Sequence, residues 1–171
     1  DKRILMWDLY NEPGNSGYGE TSLPRLEKVF EYAREMNPSQ PVTAGIWNDS
    51  PRINHFIATH SDIISFHCYS KPAELQHVMD TLRQFDRPLI CTEYMARPNG
   101  STFEKNMPVL KNNHVGAINW GFVSGKTNTI FAWDKPMPDV KEPKVWFHDI
   151  FRQDGTPYDP EEIEVIKKLT H

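Results

Sequence analysis

Residues 62–93 read DIISFHCYSKPAELQHVMDTLRQFDRPLICTE, a strand-helix-strand pattern that sets the fold class. Apolar and β-branched residues dominate Asp62–Tyr69 and Pro88–Glu93, which predicts two buried strands. Pro72–Phe85, between them, carries apolar residues at helical spacing, which predicts a helix. Its apolar face consists of Leu75, Val78, Met79 and Leu82. Apolar strands joined by a helix are typical of a parallel sheet covered by helices, so the stretch predicts an α/β fold.

The same alternation continues on both sides of this stretch. Ser22 is predicted to cap the first helix, and Pro108 is predicted to interrupt a later one. The further strands and helices are predicted at Arg3–Leu9, Ser22–Asn37, Pro41–Trp47, Ile53–Thr59, Thr102–Asn112, Gly116–Phe122 and Pro160–Leu169. Five strands with helices between them fit either a doubly wound sheet or part of an eight-stranded barrel, whose usual length is about 250 residues.

Composition excludes several classes of partner. The chain has 171 residues, with 19 Lys and Arg against 23 Asp and Glu, and its charges are scattered, which argues against nucleic-acid or membrane partners. No apolar run approaches the roughly 18 residues that a membrane helix needs, so one soluble domain spanning residues 1–171 is predicted. Cys68 and Cys91 lie in apolar runs and are predicted to be free buried thiols. The histidines lack metal-ligand spacing and no phosphate-binding loop occurs, so no metal and no cofactor are predicted.

Polar and aromatic residues collect where the predicted strands end. They are Asn11, Glu12, Trp47, Asn48, Asp49, His67, Tyr69, Glu93, Tyr94 and Trp120. A parallel α/β architecture places its active site at this edge of the sheet. Glu12 and Glu93 matter most, because a carboxylate that ends an apolar strand is costly unless it is used or paired.

These strand ends resemble those of the clan A glycoside hydrolases. Trp7–Pro13 resembles the Asn-Glu-Pro signature of their fourth strand, and Pro88–Tyr94 resembles their seventh. Phe66–Tyr69 is similar to the His-x-Tyr of the sixth strand, and Asn119–Trp120 to the eighth-strand tryptophan. The resemblance covers nearly the whole chain and is nearest to cellulase- and mannanase-like members of family 5. It implies a partial (β/α)8 TIM barrel of roughly five strands, without the first three strand-helix units.

The resemblance also implies a reaction and the residues that carry it. Hydrolysis of a β-linked poly- or oligosaccharide with retention needs an acid and a nucleophilic carboxylate about 5 to 5.5 Å apart. Glu12 matches the position of the acid/base, and Glu93 matches that of the nucleophile. Asn11, beside Glu12, is expected to bind the sugar 2-hydroxyl, a contact that strengthens in the transition state.

Four further residues are expected to support the substrate or the carboxylates. Tyr69 is expected to donate a hydrogen bond to the nucleophile, and His67 to bind a hydroxyl or tune the acid. Trp120 offers a flat apolar face on which a pyranose ring stacks. Trp47 is a candidate for a neighbouring subsite.

Each of these interpretations has a competitor. Glu12 could simply cap a turn, Glu93 could form an ion pair with Arg87 or Arg97, and His67 could be a satisfied core histidine. A metal hydrolase built on Glu12, His67 and Glu93 is a weaker alternative, because it lacks a further ligand at a convincing position. The alternative outside enzymes is a catalytically inactive carbohydrate-binding fragment.

The expected partner is therefore a carbohydrate substrate. A five-stranded part of a barrel leaves two sheet edges unpaired, so self-association or a complementing N-terminal fragment is expected at those edges. Polysaccharide substrates further suggest a parent enzyme that is exported to the periplasm or the medium.

Overall fold

The computed structural model describes residues 1–170, which form ten regular elements in a largely alternating order. The strands are β1 (Trp7–Asp8), β2 (Val42–Thr43), β3 (Ile64–Cys68), β4 (Leu89–Tyr94) and β5 (Gly116–Ala117). The helices are α1 (Leu23–Met36), α2 (Pro51–His60), α3 (Pro72–Leu82), α4 (Phe103–Asn112) and α5 (Pro160–Thr170). The predicted α/β class is confirmed. Among residues 1–170, no helix is both long enough and apolar enough to cross a membrane.

The helices begin and end close to the predicted residues, with two corrections. The hydroxyl of Ser22 does not cap α1 but donates to the carbonyl of Gly19, because Ser22 closes a short 3-10 turn there. Pro108 does not interrupt α4, which continues to Asn112. A proline inside a helix removes one backbone hydrogen-bond donor, and α4 remains helical without that hydrogen bond.

All strands except β4 are shorter than predicted, and β1 and β5 have only two residues each. All four of these residues are exposed, whereas every residue of β3 is buried. An apolar run becomes a long strand only where neighbouring strands pair with it along its length. The ends of the apolar runs therefore continue as irregular backbone, including the run that contains Trp120.

The chain divides into two compact units, and α3 and β4 run from one into the other. The first unit comprises residues 1–67 and 79–91. In it, β1 and β2 pair in parallel, with Trp7 opposite Val42 and Asp8 opposite Thr43, and the N–H of Ile64 donates to the carbonyl of Pro88 at 2.9 Å. The buried side chains of this unit include Leu26, Phe30, Ile46, Ile57 and Phe66.

An ion pair joins α1 to the start of β3 in the first unit. Arg34 contacts both carboxylate oxygens of Asp62, at 2.8 and 3.0 Å, and the N–H of Val42 donates to the same carboxylate at 2.9 Å. The hydrogen bond from Arg34 lowers the pKa of Asp62 below its ordinary value.

The second unit comprises residues 68–78 and the chain from residue 92 onward. In it, α4 packs against α5, and Arg97 binds Glu162 of α5 at 2.6 Å while stacking on the ring of Tyr158. The run 146–150, which lies within the long irregular stretch between β5 and α5, is buried throughout. Cys68, in this unit, and Cys91, in the first, are both buried thiols that form no disulfide, as predicted.

Candidate active site

Glu12 lies in the turn after β1, in the first unit, and its carboxyl is held at both oxygens. Nδ1 of His67 lies 2.8 Å from Oε1, and Nδ2 of Asn15 donates to Oε2 at 2.5 Å. The backbone of Glu12 has φ 48°, a left-handed conformation that a residue with a side chain rarely adopts, and a residue before proline still less. Such strain is typical of functional sites.

The backbone after β2 leaves room for His67. A Cβ at Gly45 would lie 2.8 Å from Nε2 of His67, so only glycine fits beside this ring. His67 is the penultimate residue of β3, and only 2% of its side chain is exposed. The imidazole therefore presents Nδ1 to Glu12 from a fixed position.

The indole of Trp47 fixes the same turn from another side. Its Nε1–H donates to the carbonyl of Pro13 at 2.9 Å, and the residue is half-buried. Asn11 precedes Glu12 in the turn and is exposed. The first unit thus brings together Glu12, His67 and Trp47 from the predicted set, with Asn11 next to Glu12 in the chain.

Glu93 lies near the end of β4, in the part of the strand that belongs to the second unit, and it is 8% exposed. The hydroxyl of Tyr69 donates to Oε2 of Glu93 at 2.7 Å. The hydrogen bond from Tyr69 holds this oxygen of Glu93 in a fixed position. Arg97, a suggested ion-pair partner, instead binds Glu162.

Aromatic rings pack around Tyr69. Its ring lies 4.7 Å from that of Trp133, edge to face, and 5.2 Å from that of His148. His148 is buried, its Nδ1 lies 2.8 Å from the carbonyl of Met95, and burial lowers its pKa to about 4. His148 is therefore neutral near pH 7 and packs against the ring of Tyr69.

Comparison with protein families identifies the architecture that positions these residues. The model of glycosyl hydrolases family 2, TIM barrel domain, matches residues 2–134. The chain belongs to this family. The prediction of a glycoside hydrolase TIM barrel is thus confirmed, and the five-stranded chain represents part of that barrel.

The finer assignment to family 5 is not supported, since the matching family is family 2. The motifs around Glu12, His67, Tyr69, Glu93 and Trp120 are shared by several families of the clan. They identify the barrel and cannot separate one family from another.

Solved structures show the same fold as this family 2 domain. β-Glucuronidase from Ruminococcus gnavus matches with a TM-score of 0.61 and 16% identity, over 97% of this chain and 32% of that chain. The same enzyme in complex with uronic isofagomine matches with a TM-score of 0.62 and 17% identity, over the same shares. The family 2 domain thus spans about a third of the length of these structures. No curated protein matches the chain.

Trp120 of the family 2 domain follows β5 and is 45% exposed. The next residue, Gly121, has φ 94°, and a Cβ there would lie 2.8 Å from Oδ1 of Asp149. The backbone at Trp120 is therefore packed tightly, while its indole keeps an accessible face.

Sequence reasoning missed Asn15 and Gly45. Asn15 follows Glu12 by three residues in a glycine-rich loop, a spacing at which turns bring side chains together. Gly45 interrupts an apolar strand-like run, which is a signal of close backbone approach.

Proposed function

We propose that this family 2 domain carries the acid/base and the nucleophile of a retaining glycoside hydrolase. Glu12 is the acid/base, Glu93 is the nucleophile, and the substrate is a β-linked poly- or oligosaccharide. One observation carries the proposal: each carboxyl lies at or just after the end of a strand of a glycosyl hydrolase barrel and is hydrogen-bonded to a side chain of the predicted sixth strand, Glu12 to His67 and Glu93 to Tyr69.

The first step is attack on the anomeric carbon. Oε1 or Oε2 of Glu93 forms an ester bond to that carbon while the glycosidic C–O bond breaks, and Glu12 gives its proton to the departing oxygen. The hydroxyl of Tyr69 orients the Glu93 carboxylate. The positive charge that develops on the sugar ring is stabilised by the carboxylate that attacks it.

The second step releases the sugar. Glu12, now a carboxylate, takes a proton from water, and the oxygen of that water displaces Glu93 from the anomeric carbon with net retention. Nδ1 of His67 can accept a hydrogen bond from the protonated Glu12 carboxyl in one tautomer and donate one to the carboxylate in the other. His67 is therefore a partner that suits both protonation states of Glu12.

The substrate contacts follow from exposure and position. Asn11 is proposed to bind the sugar 2-hydroxyl, and the accessible face of Trp120 to stack on a pyranose ring. Trp47 is proposed to line a neighbouring subsite, with its indole fixed by the hydrogen bond from Nε1 to the carbonyl of Pro13.

A panel of aryl β-glycosides tests the proposal, and it includes a β-glucuronide because the solved structures named above are β-glucuronidases. Hydrolysis is followed by proton NMR, which shows the anomeric configuration of the first-formed sugar. The proposal is supported if the wild-type chain hydrolyses a glycoside with retention, if Glu93→Ala loses that hydrolysis, and if the exposed control Glu104→Gln keeps it. Inversion, or turnover unchanged in Glu93→Ala, refutes it.

The alternative is a catalytically inactive chain that binds carbohydrate, which the exposure of Trp120 and Trp133 favours. Calorimetric titration with an oligosaccharide distinguishes the two. Binding that depends on Trp120 without turnover of any glycoside would favour the alternative.

We also propose that β1 and β5, whose residues are exposed, pair with another chain. The partner is a second copy or a complementing N-terminal fragment. Sedimentation equilibrium of the purified chain tests self-association: a dimer supports it, and a monomer at high concentration leaves only the complementing fragment.

A further inference from the structure

The carboxyl of Glu12 is held between two unlike partners. His67, at Oε1, is buried, while Asn15, at Oε2, is exposed. The Glu12 side chain between them is 15% exposed. Oε2, on the solvent side of the carboxyl, thus accepts a hydrogen bond from Asn15, which is not one of the predicted site residues.

The loop that follows Glu12 builds this donor. The N–H of Asn15 donates to the carbonyl of Glu12 at 3.1 Å, which closes a turn, and Gly14 and Ser16 on either side have φ of 86° and 57°. The N–H of Ser16 donates to Oδ1 of Asn15. Because Oδ1 is engaged, the amide turns its NH2 group toward Glu12.

We propose that Asn15 is a positioning residue for proton transfer by Glu12. The inference rests on the proposed function, in which Glu12 protonates the leaving oxygen. An amide N–H bonds more strongly to a carboxylate than to a neutral acid, so the contact strengthens as the proton leaves Glu12. Asn15 also fixes the plane of the carboxyl, which determines where the proton is delivered.

The dependence of the rate on the leaving group tests this role. A glycoside with an alkyl leaving group needs protonation, whereas a dinitrophenyl glycoside departs almost unaided. In Asn15→Ala we expect kcat/KM for the alkyl glycoside to fall about tenfold relative to the dinitrophenyl glycoside, as for loss of a hydrogen bond to a charged group. Tyr18→Ala, an exposed change in the same loop, should leave the ratio unchanged.

A second measurement does not depend on activity. In a 15N-edited NMR spectrum, the side-chain amide signals of Asn15 should shift in Glu12→Gln, while those of Asn37, which lies at the end of α1, should not. Unmoved Asn15 signals would overturn the inference.

The outcomes separate the inference from the proposed function. If Glu12→Ala loses the alkyl glycoside but Asn15→Ala keeps the wild-type ratio, the positioning role is wrong and Glu12 remains the acid/base. If Glu12→Ala itself hydrolyses both glycosides at the wild-type rate, the proposed function fails instead, and with it the role of Asn15.

Discussion

The two carboxylates at the strand ends are built into different surroundings. Glu12, in the first unit, lies in a loop with a strained backbone and has one buried and one exposed partner. Glu93, in the second unit, belongs to a regular strand, and its partner Tyr69 is packed against further aromatic rings. A group that must exchange a proton with water needs access to it, whereas a nucleophile needs a fixed orientation. The difference between the surroundings therefore fits the two roles proposed for Glu12 and Glu93.

The largest effect is expected from removing each carboxylate in turn. Glu93→Ala should lower kcat/KM by about 10⁴-fold or more for every leaving group, because no covalent intermediate forms. In Glu12→Ala, the first step should stay fast for glycosides with activated leaving groups, because such groups depart without a proton. Steady-state kinetics on a leaving-group series measures both variants, with Glu104→Gln as the control. If both variants lost kcat/KM equally on every substrate, the proposed difference in role between Glu12 and Glu93 would be wrong.

A smaller effect is expected at Tyr69. Tyr69→Phe keeps the ring that packs on Trp133 and His148 and removes the hydroxyl at 2.7 Å from Glu93. Loss of a hydrogen bond to a charged group costs about 1.5 to 3 kcal/mol, so kcat should fall by about 10- to 100-fold with little change in Tm. Tyr32→Phe, on an exposed residue, should change neither quantity. A wild-type kcat in Tyr69→Phe would show that the aromatic packing alone orients Glu93.

The support of the first site is tested through Gly45. The Cβ of Gly45→Ala would overlap the ring of His67, and such overpacking costs typically about 1 to 3 kcal/mol. Urea unfolding should show that loss, together with lower activity because His67 no longer reaches Glu12 correctly. Gly125→Ala is the matched control, since a Cβ there would lie at an ordinary contact distance, 3.7 Å, from the carbonyl oxygen of Val123. An unchanged free energy of unfolding in Gly45→Ala would show that the backbone around residue 45 shifts to accommodate the added methyl group.

The smallest effects are expected from two aspartates whose pKa values shift in opposite directions. Arg34 lowers the pKa of Asp62 in the first unit, so this ion pair stabilises the fold at neutral pH and the contribution disappears as pH falls below about 3.8. Burial raises the pKa of Asp149 in the second unit, so its contribution is greatest at low pH and declines as pH rises above about 3.8. Both contributions are small parts of the total stability.

Urea unfolding at several pH values measures these two contributions. Asp62→Asn should reduce the loss of stability on acidification, and Asp149→Asn should slightly increase that loss. The same direction of change in both variants would contradict the opposite environments of the two aspartates.

Much of the fold could be predicted because its signals are local. The apolar face of α1, its proline in the first turn and the Asn37–Pro38 stop predict that helix closely. The lengths of β1 and β5 could not be predicted, because strand length depends on pairing with residues distant in sequence. The same holds for Pro108, which α4 accommodates through its surroundings.

The candidate site, likewise, could be predicted only where its signals are local. Glu12 and Glu93 were predictable from their positions after apolar strands, and the contact of Tyr69 with Glu93 was expected from the resemblance. The hydrogen bond from Asn15 to Glu12 depends on left-handed backbone conformations in the loop, which sequence patterns specify weakly. The fit of Gly45 against His67 depends on the packing of two separate segments.

The central claim, that Glu93 is the nucleophile of a retaining hydrolase, is tested most directly by trapping its ester. The purified chain is incubated with a 2-deoxy-2-fluoro glycosyl fluoride, which slows both steps and allows the glycosyl-enzyme to accumulate, and is then digested for mass spectrometry. We expect one fluoroglycosyl group, on the peptide that contains Glu93, and none in Glu93→Gln. A label on another carboxylate, or turnover of aryl glycosides without any trapped ester, would show that Glu93 is not the nucleophile.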